Sequence, residues 1–227
     1  MRTPGLLSTA LILGLGLAAV ADESREPSTL GAKPPGGAVV LFDGKDLSAW
    51  TGRDDKPAGW TVEDGLLTVA PGKGDIRTRD TFGSYKLHIE FNVPYMPEAK
   101  GQGRGNSGVY QQGRYELQVL DSYGLEPKDN ECGGIYKQVV PKVNACKPPL
   151  QWQAYDVTFH AAKCADGKVG GKARISVVQN GQVIIDAAEI EPTPGGVDSD
   201  ACKDGPILLQ DHHNAVQYRN IWLEKTD

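Results

Sequence analysis

The sequence lacks three features, and each absence narrows the possible functions. It has no run of basic residues and carries a net charge of -5, so nothing in it matches the phosphate backbone of a nucleic acid. Its cysteines form no CxxC pair, which argues against a zinc site. Beyond a turn or two, no stretch of the mature chain has the apolar period of a helix. The 28 Gly and 15 Pro residues instead favour a β protein with many turns.

The amino terminus has the pattern of a secretory signal peptide. Met1-Arg2 precedes an apolar run from Leu6 to Val20, and Ala19-Val20-Ala21 offers a small-residue cleavage site. We therefore predict a signal peptide over residues 1–21 and an exported protein, periplasmic or extracellular. A membrane anchor is the alternative, but the run is short for a spanning helix, which needs about 20 apolar residues. After cleavage we expect no stable membrane insertion.

The rest of the chain divides into a linker and one domain. Residues 22–37 are polar, contain Pro, Gly, Ser and Glu, and have little to bury, so we predict a flexible linker. Residues 38–227 have the length of a single domain of sandwich or barrel type. Four cysteines lie in this domain, and an even count in an exported protein favours disulfides. Three connectivities are possible, and proximity along the chain favours two pairs, Cys132–Cys146 and Cys164–Cys202.

Short β-prone stretches alternate with turn signals along the domain. Tyr85 to Val93 alternates strictly between apolar and polar residues. Asp64-Gly65 and Asn180-Gly181 each separate two β-prone stretches, which predicts β-hairpins. The pattern indicates an all-β fold, a sandwich or jelly roll. The irregular segment 125–149 is a long loop, and loops of that length in a compact domain are often functional.

A predicted hairpin between Gly105 and Gly124 carries the most suggestive polar residues. Its second strand alternates, with three apolar residues on one face and three polar residues on the other: Arg114, Glu116 and Gln118. A polar strand face is common on any solvated antiparallel sheet, and Glu116 could simply pair with Arg114. A cation, a carboxylate and an amide in one row nevertheless make this face a candidate site.

Two further groups complete the set of candidate residues. Gln210 and His212 share one face of a predicted strand near the carboxyl terminus, although His212 could be a loop-edge histidine without a role. Arg104, Asn106 and Tyr110 lie where a glycine-rich loop leads into the hairpin. We expect that loop to form the rim of a site, with these residues binding a ligand.

Two kinds of glycoside cleavage can be compared with these residues. A conventional glycosidase needs two carboxyl groups across the scissile bond. Here the residue two positions after Glu116 is Gln118, so a second carboxylate would have to come from elsewhere: Asp121, Glu131 or Asp211. Removal of a proton next to a carbonyl needs only one base and donors for the developing enolate. Either Glu116 or His212 could be that base, with the other polar residues as donors.

Metal and aromatic sites have weaker support. His212 and His213 are adjacent and would point apart on a strand, and the aspartates show no regular calcium-ligand spacing. We assign no metal and no cofactor, and a divalent metal stays an open alternative. Trp50, Trp60 and Trp152 could form a sugar-stacking platform or belong to the core.

Four stretches in order resemble the 3-keto-disaccharide hydrolase domain family, which has a concanavalin A-like fold. They are Leu41–Leu47 with Trp50, Gly105–Tyr110, Arg114–Asp121, and Leu209–His212 with Arg219–Leu223. The resemblance covers about Val39 to Leu223. One departure is His213, where family members usually carry Gly, so an imidazole lies beside the expected site.

The resemblance implies a jelly-roll sandwich of two antiparallel sheets with long loops, and a ligand on the concave sheet. It also implies a secreted or periplasmic protein that acts on glycosides already oxidised at sugar C3. By family position, Arg114, Glu116, Gln118 and His212 form the polar core of the site. A ketone at C3 acidifies the hydrogen on C2, which favours proton abstraction, elimination and hydration. The alternatives are a sugar-binding module without activity and a conventional two-carboxylate glycosidase.

Overall fold

The computed structural model describes Met1 and residues 27–226. Beyond Met1, the predicted signal peptide lies outside the described residues, as does the first part of the predicted linker. In the described residues, the regular secondary structure is β, apart from a single 3-10 turn over Gly101–Gly103. Among residues 27–226, no helix is long and apolar enough to cross a membrane.

Fifteen strands form the domain. They are β1 Val39–Phe42, β2 Trp50–Gly52, β3 Thr61–Glu63, β4 Leu66–Thr68, β5 Ile76–Thr78, β6 Tyr85–Asn92, β7 Ser107–Gln111, β8 Tyr115–Val119, β9 Gln153–His160, β10 Lys163–Ala165, β11 Lys168–Gly171, β12 Ala173–Gln179, β13 Gln182–Ile190, β14 Leu208–Leu209 and β15 Gln217–Lys225. The larger sheet has eight strands in the order β13-β12-β9-β6-β15-β4-β3, with β1 also paired to β15. The smaller sheet has five, in the order β2-β5-β14-β7-β8, and β10 and β11 form a separate hairpin. The predicted jelly-roll sandwich is confirmed.

The core lies between the two sheets because each long strand turns its apolar face inward. Tyr115 of β8 packs against Phe159 of β9, with ring centroids 5.5 Å apart. Phe91 of β6 packs against Tyr155 of β9, with centroids 4.7 Å apart. Such aromatic pairs each contribute about 0.5–1.5 kcal/mol beyond the area that they bury. Trp50 is fully buried in this core, so it is not part of a sugar-stacking platform.

The predicted hairpins form at tight turns with positive φ. Asn180 and Gly181, between β12 and β13, have φ of 52° and 80°. The hairpin of β7 and β8 turns in the same way at Gln112 and Gly113, with φ of 48° and 63°. Two consecutive positive φ angles match the right-handed twist of the flanking strands. Arg114 adds a third loop residue after this turn, so Gln111 pairs with Tyr115 and Tyr110 pairs with Glu116.

Some elements differ from the predictions. The strand expected over 206–212 shortens to the two residues of β14, because the chain then bends around Asp211. The β10–β11 hairpin was not predicted, since its sequence is polar and exposed and has no alternation. Part of the segment 22–37, predicted as a linker, lies on the larger sheet, where the Gly31 amide donates to Glu90 Oε1 over 2.6 Å.

The cysteines form one of the two predicted disulfides. Cys164 and Cys202 are bonded, with an S–S distance of 2.06 Å. Cys132 and Cys146 are free thiols, contrary to the predicted second bridge. The Cys132 sulfur lies 3.1 Å from the Tyr155 hydroxyl instead, and Gln179 Nε2 lies near both thiols, at 3.6 and 3.5 Å.

Candidate active site

A cavity of about 210 Å³ opens on the outward face of the five-stranded sheet. Because Leu117 and Val119 of β8 face the core, the side chains of Glu116 and Gln118 point outward into this cavity. Residues of β7, of β8 and of several loops line the cavity: Gln102, Asn106, Tyr110, Glu116, Gln118, Tyr136, Pro194, Gly195, Gln210 and His212.

The cavity unites most of the residues predicted from the sequence, namely Asn106, Tyr110, Glu116, Gln118, Gln210 and His212. Arg104 and Arg114 are not among its lining residues. Arg104 donates to the Asp121 carbonyl oxygen through Nε and Nη2, at 2.9 and 2.5 Å. Arg114 donates to Asp198 Oδ1 over 2.5 Å. Both guanidinium groups instead hold loops in place.

Glu116 is a buried carboxylate with a single side-chain donor. Its side chain is 4% exposed, and its Oε2 accepts a hydrogen bond of 2.9 Å from the Tyr110 hydroxyl. Burial raises the pKa of Glu116 to about 7, against the lowering effect of that hydrogen bond, and the charge of Asp75 raises it further. At neutral pH, Glu116 is therefore a stronger base than an ordinary glutamate.

Gly108 makes room for this carboxylate. A Cβ atom at position 108 would lie 2.7 Å from Glu116 Oε1, which is closer than van der Waals contact allows. Gly108 is on β7 directly opposite Gln118, so a larger residue there would push into the cavity floor. The glycine in the Gly105–Tyr110 stretch is therefore a requirement of the site.

Tyr110 connects three sides of the cavity. Its hydroxyl donates to Glu116 Oε2 and lies 3.2 Å from the Pro194 carbonyl oxygen, and it accepts a 3.2 Å hydrogen bond from Gln210 Nε2. Burial and the neighbouring Glu116 charge raise the pKa of Tyr110 well above its ordinary value. Tyr110 therefore stays a neutral hydrogen-bond donor.

Two amide oxygens of the described cavity lining have no hydrogen-bond partner among residues 27–226. Gln118 Nε2 donates to Asn106 Oδ1 at 2.8 Å and to two backbone carbonyls, which fixes the amide and leaves Gln118 Oε1 unpaired and buried. Gln210 Oε1 is likewise buried and unpaired. An unpaired buried acceptor costs about 1–3 kcal/mol, which a donor from a ligand would offset. Hydroxyl groups of a sugar supply such donors.

Glu116 is the one carboxylate among the described residues that line the cavity. The acids that could have made a pair are engaged elsewhere. Asp211 accepts from the Gly74 and His213 amides, both at 2.9 Å. Glu131 accepts from Ser122, and Asp121 interacts with Arg104. Within the described part of the chain, no group of three or more His, Cys, Asp or Glu residues could hold a metal ion.

The histidines at the end of β14 differ in position. His212 lines the cavity and is exposed to solvent. His213 is not a lining residue, and its backbone has φ of 62°, in the left-handed region. That φ explains why Gly would suit this position, because glycine adopts it without a steric penalty. A His at this position therefore adds backbone strain and leaves the cavity lining unchanged.

Sequence reasoning missed four lining residues. Gln102 lies in the 3-10 turn of the glycine-rich loop, which was expected at the rim. Tyr136, Pro194 and Gly195 lie in irregular segments with no alternation to place them. The structure does explain why position 195 is a glycine, since a Cβ there would lie 2.8 Å from the Tyr110 hydroxyl.

Comparison with known protein families matches residues 37–224 to the 3-keto-alpha-glucoside-1,2-lyase-like domain. The chain belongs to this family. The match runs from just before β1 into β15, so both sheets and all cavity-lining residues lie inside it.

Individual relatives agree with this membership. The chain is 24% identical over 241 residues to a 3-keto-disaccharide hydrolase of Bacteroides thetaiotaomicron, covering 84% of this chain and 79% of that protein. A crystal structure from Parabacteroides distasonis, classed as a candidate glycosyl hydrolase, has a TM-score of 0.77 and 40% identity over 83% of this chain and 84% of that one. A second candidate glycosyl hydrolase from that organism has a TM-score of 0.62 at 21% identity, covering 84% of this chain and 94% of that chain, and shows the fold alone.

Proposed function

We propose that this protein cleaves the glycosidic bond of glycosides that carry a ketone at sugar C3. Cleavage proceeds by proton abstraction at C2, elimination of the group at C1, and hydration. The family description and the relative named as a 3-keto-disaccharide hydrolase support this substrate class. The observation that carries the mechanism is the one carboxylate among the described residues of the cavity lining, Glu116, which is buried and has a pKa raised to about 7.

A lone carboxylate suits this chemistry better than conventional hydrolysis. Direct hydrolysis of a glycoside needs an acid and a second carboxylate across the bond, and no second one lines the described cavity. Abstraction of an acidified C2 hydrogen needs one base that is deprotonated at neutral pH and strong enough to accept the proton. A buried carboxylate with a pKa near 7 meets both conditions.

The proposed reaction balances without a further reactant except water. Glu116 takes the proton from C2, and the C–H electron pair forms the C2–C3 double bond of an enolate. The enolate then reforms the C3 carbonyl while a C1–C2 double bond forms and the C1–O bond breaks. The departing oxygen takes a proton, and the proposed donor is His212, which lines the cavity and is exposed to solvent. Water adds across C1–C2, giving the free 3-keto sugar.

The polar groups around Glu116 orient the sugar. The unpaired oxygens of Gln118 and Gln210 accept hydrogen bonds from sugar hydroxyls. Tyr110 holds the Glu116 carboxylate in one position before the proton transfer. Fixing base and substrate together lowers the entropic cost of the reaction.

A matched pair of substrates tests the proposal. The protein is incubated with p-nitrophenyl glucoside and with the same glucoside oxidised at C3, and release of p-nitrophenol is followed. We expect release from the keto form alone, and exchange of the C2 hydrogen in deuterated buffer. Release from the plain glucoside would contradict the mechanism. Binding without release from either would instead indicate a carbohydrate-binding module.

We also propose that the protein is exported and works as a single domain over 38–227. The apolar amino terminus and the Cys164–Cys202 disulfide support export, because disulfides persist in oxidising compartments. Mass spectrometry of protein made with its own amino terminus should find a mature chain that begins at Asp22. Retention of residues 1–21 in the mature chain would contradict the signal peptide.

A further inference from the structure

One wall of the cavity belongs to the segment 191–206, which joins β13 to β14 and is called the strap here. Pro194 and Gly195 of the strap line the cavity. The strap pairs with the chain at the start of β8: the Thr193 amide donates to the Arg114 carbonyl oxygen at 2.7 Å, and the Val197 amide donates to that of Gly113 at 2.8 Å. It therefore runs along the free edge of β8, the strand that carries Glu116.

The strap also touches the site directly. Thr193 Oγ1 accepts a 3.0 Å hydrogen bond from the backbone amide of Glu116. The Pro194 carbonyl oxygen is 3.2 Å from the Tyr110 hydroxyl, and Gly195 lies against the same hydroxyl. Movement of the strap would therefore disturb both the backbone of Glu116 and its one side-chain donor.

The Arg114 guanidinium group anchors the strap by hydrogen bonds. Its side chain is 1% exposed, although a cation is costly to bury without partners. Nε and Nη2 donate to the two carboxylate oxygens of Asp198 at 2.5 and 3.3 Å, and Nη1 donates to the Lys203 carbonyl oxygen at 2.7 Å. All three nitrogens of the guanidinium are thus used within the strap, and none lines the cavity.

We infer that Arg114 is a positioning residue. It clamps the strap beside the cavity, which excludes water from Glu116 and holds Glu116 in place. This role rests on the proposed function of Glu116 as the base. The disulfide from Cys164 to Cys202 fastens the same strap to β10, so the clamp has a covalent and an ionic part.

The clamp acts on Glu116 through water exclusion. The titratable residues that face Glu116 are Tyr110 on β7, Asp75 before β5, Tyr136 in the irregular segment and His212 after β14. The strap contributes only Pro194 and Gly195 to the cavity lining, and neither is charged. A displaced strap therefore changes the burial of Glu116 and leaves its charged neighbours the same. Burial is the largest cause of the raised pKa and outweighs the opposing hydrogen bond from Tyr110, so we expect that pKa to fall when water enters.

The experiment compares R114K with R174K. Lys keeps the charge but cannot form the two-pronged contact with Asp198. Arg174 makes a similar pair with Glu189, at 3.0 Å, but on the exposed hairpin of β12 and β13. The carboxyl pKa of Glu116 is measured by carbon-13 NMR, and kcat and KM on the 3-keto substrate are measured against pH.

For R114K we expect the Glu116 pKa to fall by about one unit, which moves the acidic limb of the pH–rate profile the same way. We expect kcat to fall about tenfold with a KM change below about threefold, because base placement and not binding is affected. R174K should match the wild type. An unchanged Glu116 pKa in R114K, or a loss confined to KM, would overturn the inference.

The NMR measurement separates this inference from the proposed function. If the wild type does not cleave the 3-keto substrate, the proposed function fails, but the pKa comparison still decides whether Arg114 controls the burial of Glu116. Should R114K fail to fold, D198N and C164S/C202S loosen the same strap from its other partners. A Glu116 pKa that stays near 7 in both would then refute the clamp.

Discussion

Both sheets bury a glutamate on their outward face, and the two environments are opposite. Glu116 of β8 and Glu90 of β6 are 4% and 0% exposed, and both follow from strict alternation along a strand. Glu116 accepts one side-chain hydrogen bond, from Tyr110. Glu90 lies in a dense network under residues 29–32, and its charge is fully paired.

The network around Glu90 supplies donors to both oxygens of the carboxylate. Arg219 Nε donates to Oε2 at 2.7 Å, Asn220 Nδ2 to Oε1 at 2.8 Å, and the Gly31 amide to Oε1 at 2.6 Å. Burial alone would raise the pKa of Glu90, but the hydrogen bonds from His88 and these donors lower it to about 2. His88 in turn has a pKa raised to about 9, because the carboxylates of Asp156 and Glu90 outweigh its burial.

Burial by itself therefore does not mark an active residue. A buried carboxylate with its lone pairs filled has a low pKa and a structural role, as Glu90 does. A buried carboxylate whose lone pairs accept few hydrogen bonds has a raised pKa, as Glu116 does, and in the proposed mechanism it is the base. The number of donors around each carboxylate separates the two roles.

The largest expected effect is the loss of turnover in E116Q. Gln has the shape of Glu but cannot accept a proton from C2, and general base catalysis contributes about 10²–10⁴-fold to rate. We expect kcat on the 3-keto substrate to fall by about a thousandfold or more, with the fold unchanged by circular dichroism. E63Q, at an exposed position of β3, should keep full activity. Retention of most activity in E116Q would remove Glu116 from the mechanism.

The next effect is the loss of stability in E90Q. Removing the Glu90 charge leaves Arg219 without its carboxylate partner and leaves His88 with Asp156 alone, and breaking a buried ion pair costs about 3–5 kcal/mol. We expect urea unfolding at pH 7 to show a loss of about 3 kcal/mol. Because Arg219 is partly exposed and can regain water, this lies at the lower end of that range.

The pH dependence of E90Q checks the cause. The folded pKa of Glu90 is depressed, so its ionised form stabilises the protein above the ordinary pKa of 4.5, and that stability is lost as pH falls towards 2. The deficit of E90Q should therefore shrink at acid pH. A deficit that is constant from pH 7 to pH 3 would point to lost packing instead of lost charge.

E116Q should have the opposite effect on stability. The folded pKa of Glu116 is raised, so ionising it costs folding free energy as pH rises from 4.5 to 7, and the cost stays constant above that. A neutral Gln avoids the cost, and we expect E116Q to be about 3 kcal/mol more stable at pH 8 and equal to the wild type near pH 4. Thermal unfolding across this range measures it. A variant less stable than the wild type at pH 8 would show that ionised Glu116 does not destabilise the folded protein.

The sequence is enough to predict which face of each strand carries these carboxylates. Alternation in β6 and β8 assigns Glu90 and Glu116 to the polar face, and the turn at Asn180-Gly181 is readable from its residue types. These are local rules, so they need no knowledge of distant residues. They also suffice for the all-β class and for most strand positions.

Alternation does not show what covers a polar face. Gly31 reaches Glu90 across 59 positions, and Asp198 reaches Arg114 across 84, in each case from a segment without periodicity. Arg114 was therefore expected to bind substrate, because the acid that neutralises it could not be found in an irregular loop. The cavity wall at Pro194 was missed for the same reason.

The smallest expected effect concerns backbone strain, which is compared between His213 and His160. His213, beside the cavity, holds φ of 62°, which an L-residue adopts at a cost that glycine avoids. His160, at the end of β9, is exposed in regular strand geometry. We expect H213G to raise the free energy of unfolding by about 0.5 kcal/mol, and H160G to lower it by about 0.5–1 kcal/mol, since glycine weakens a strand. Urea unfolding of both variants measures the difference. If both lose stability, the contacts of the His213 side chain outweigh the backbone strain, and the preference of the family for Gly must have another cause.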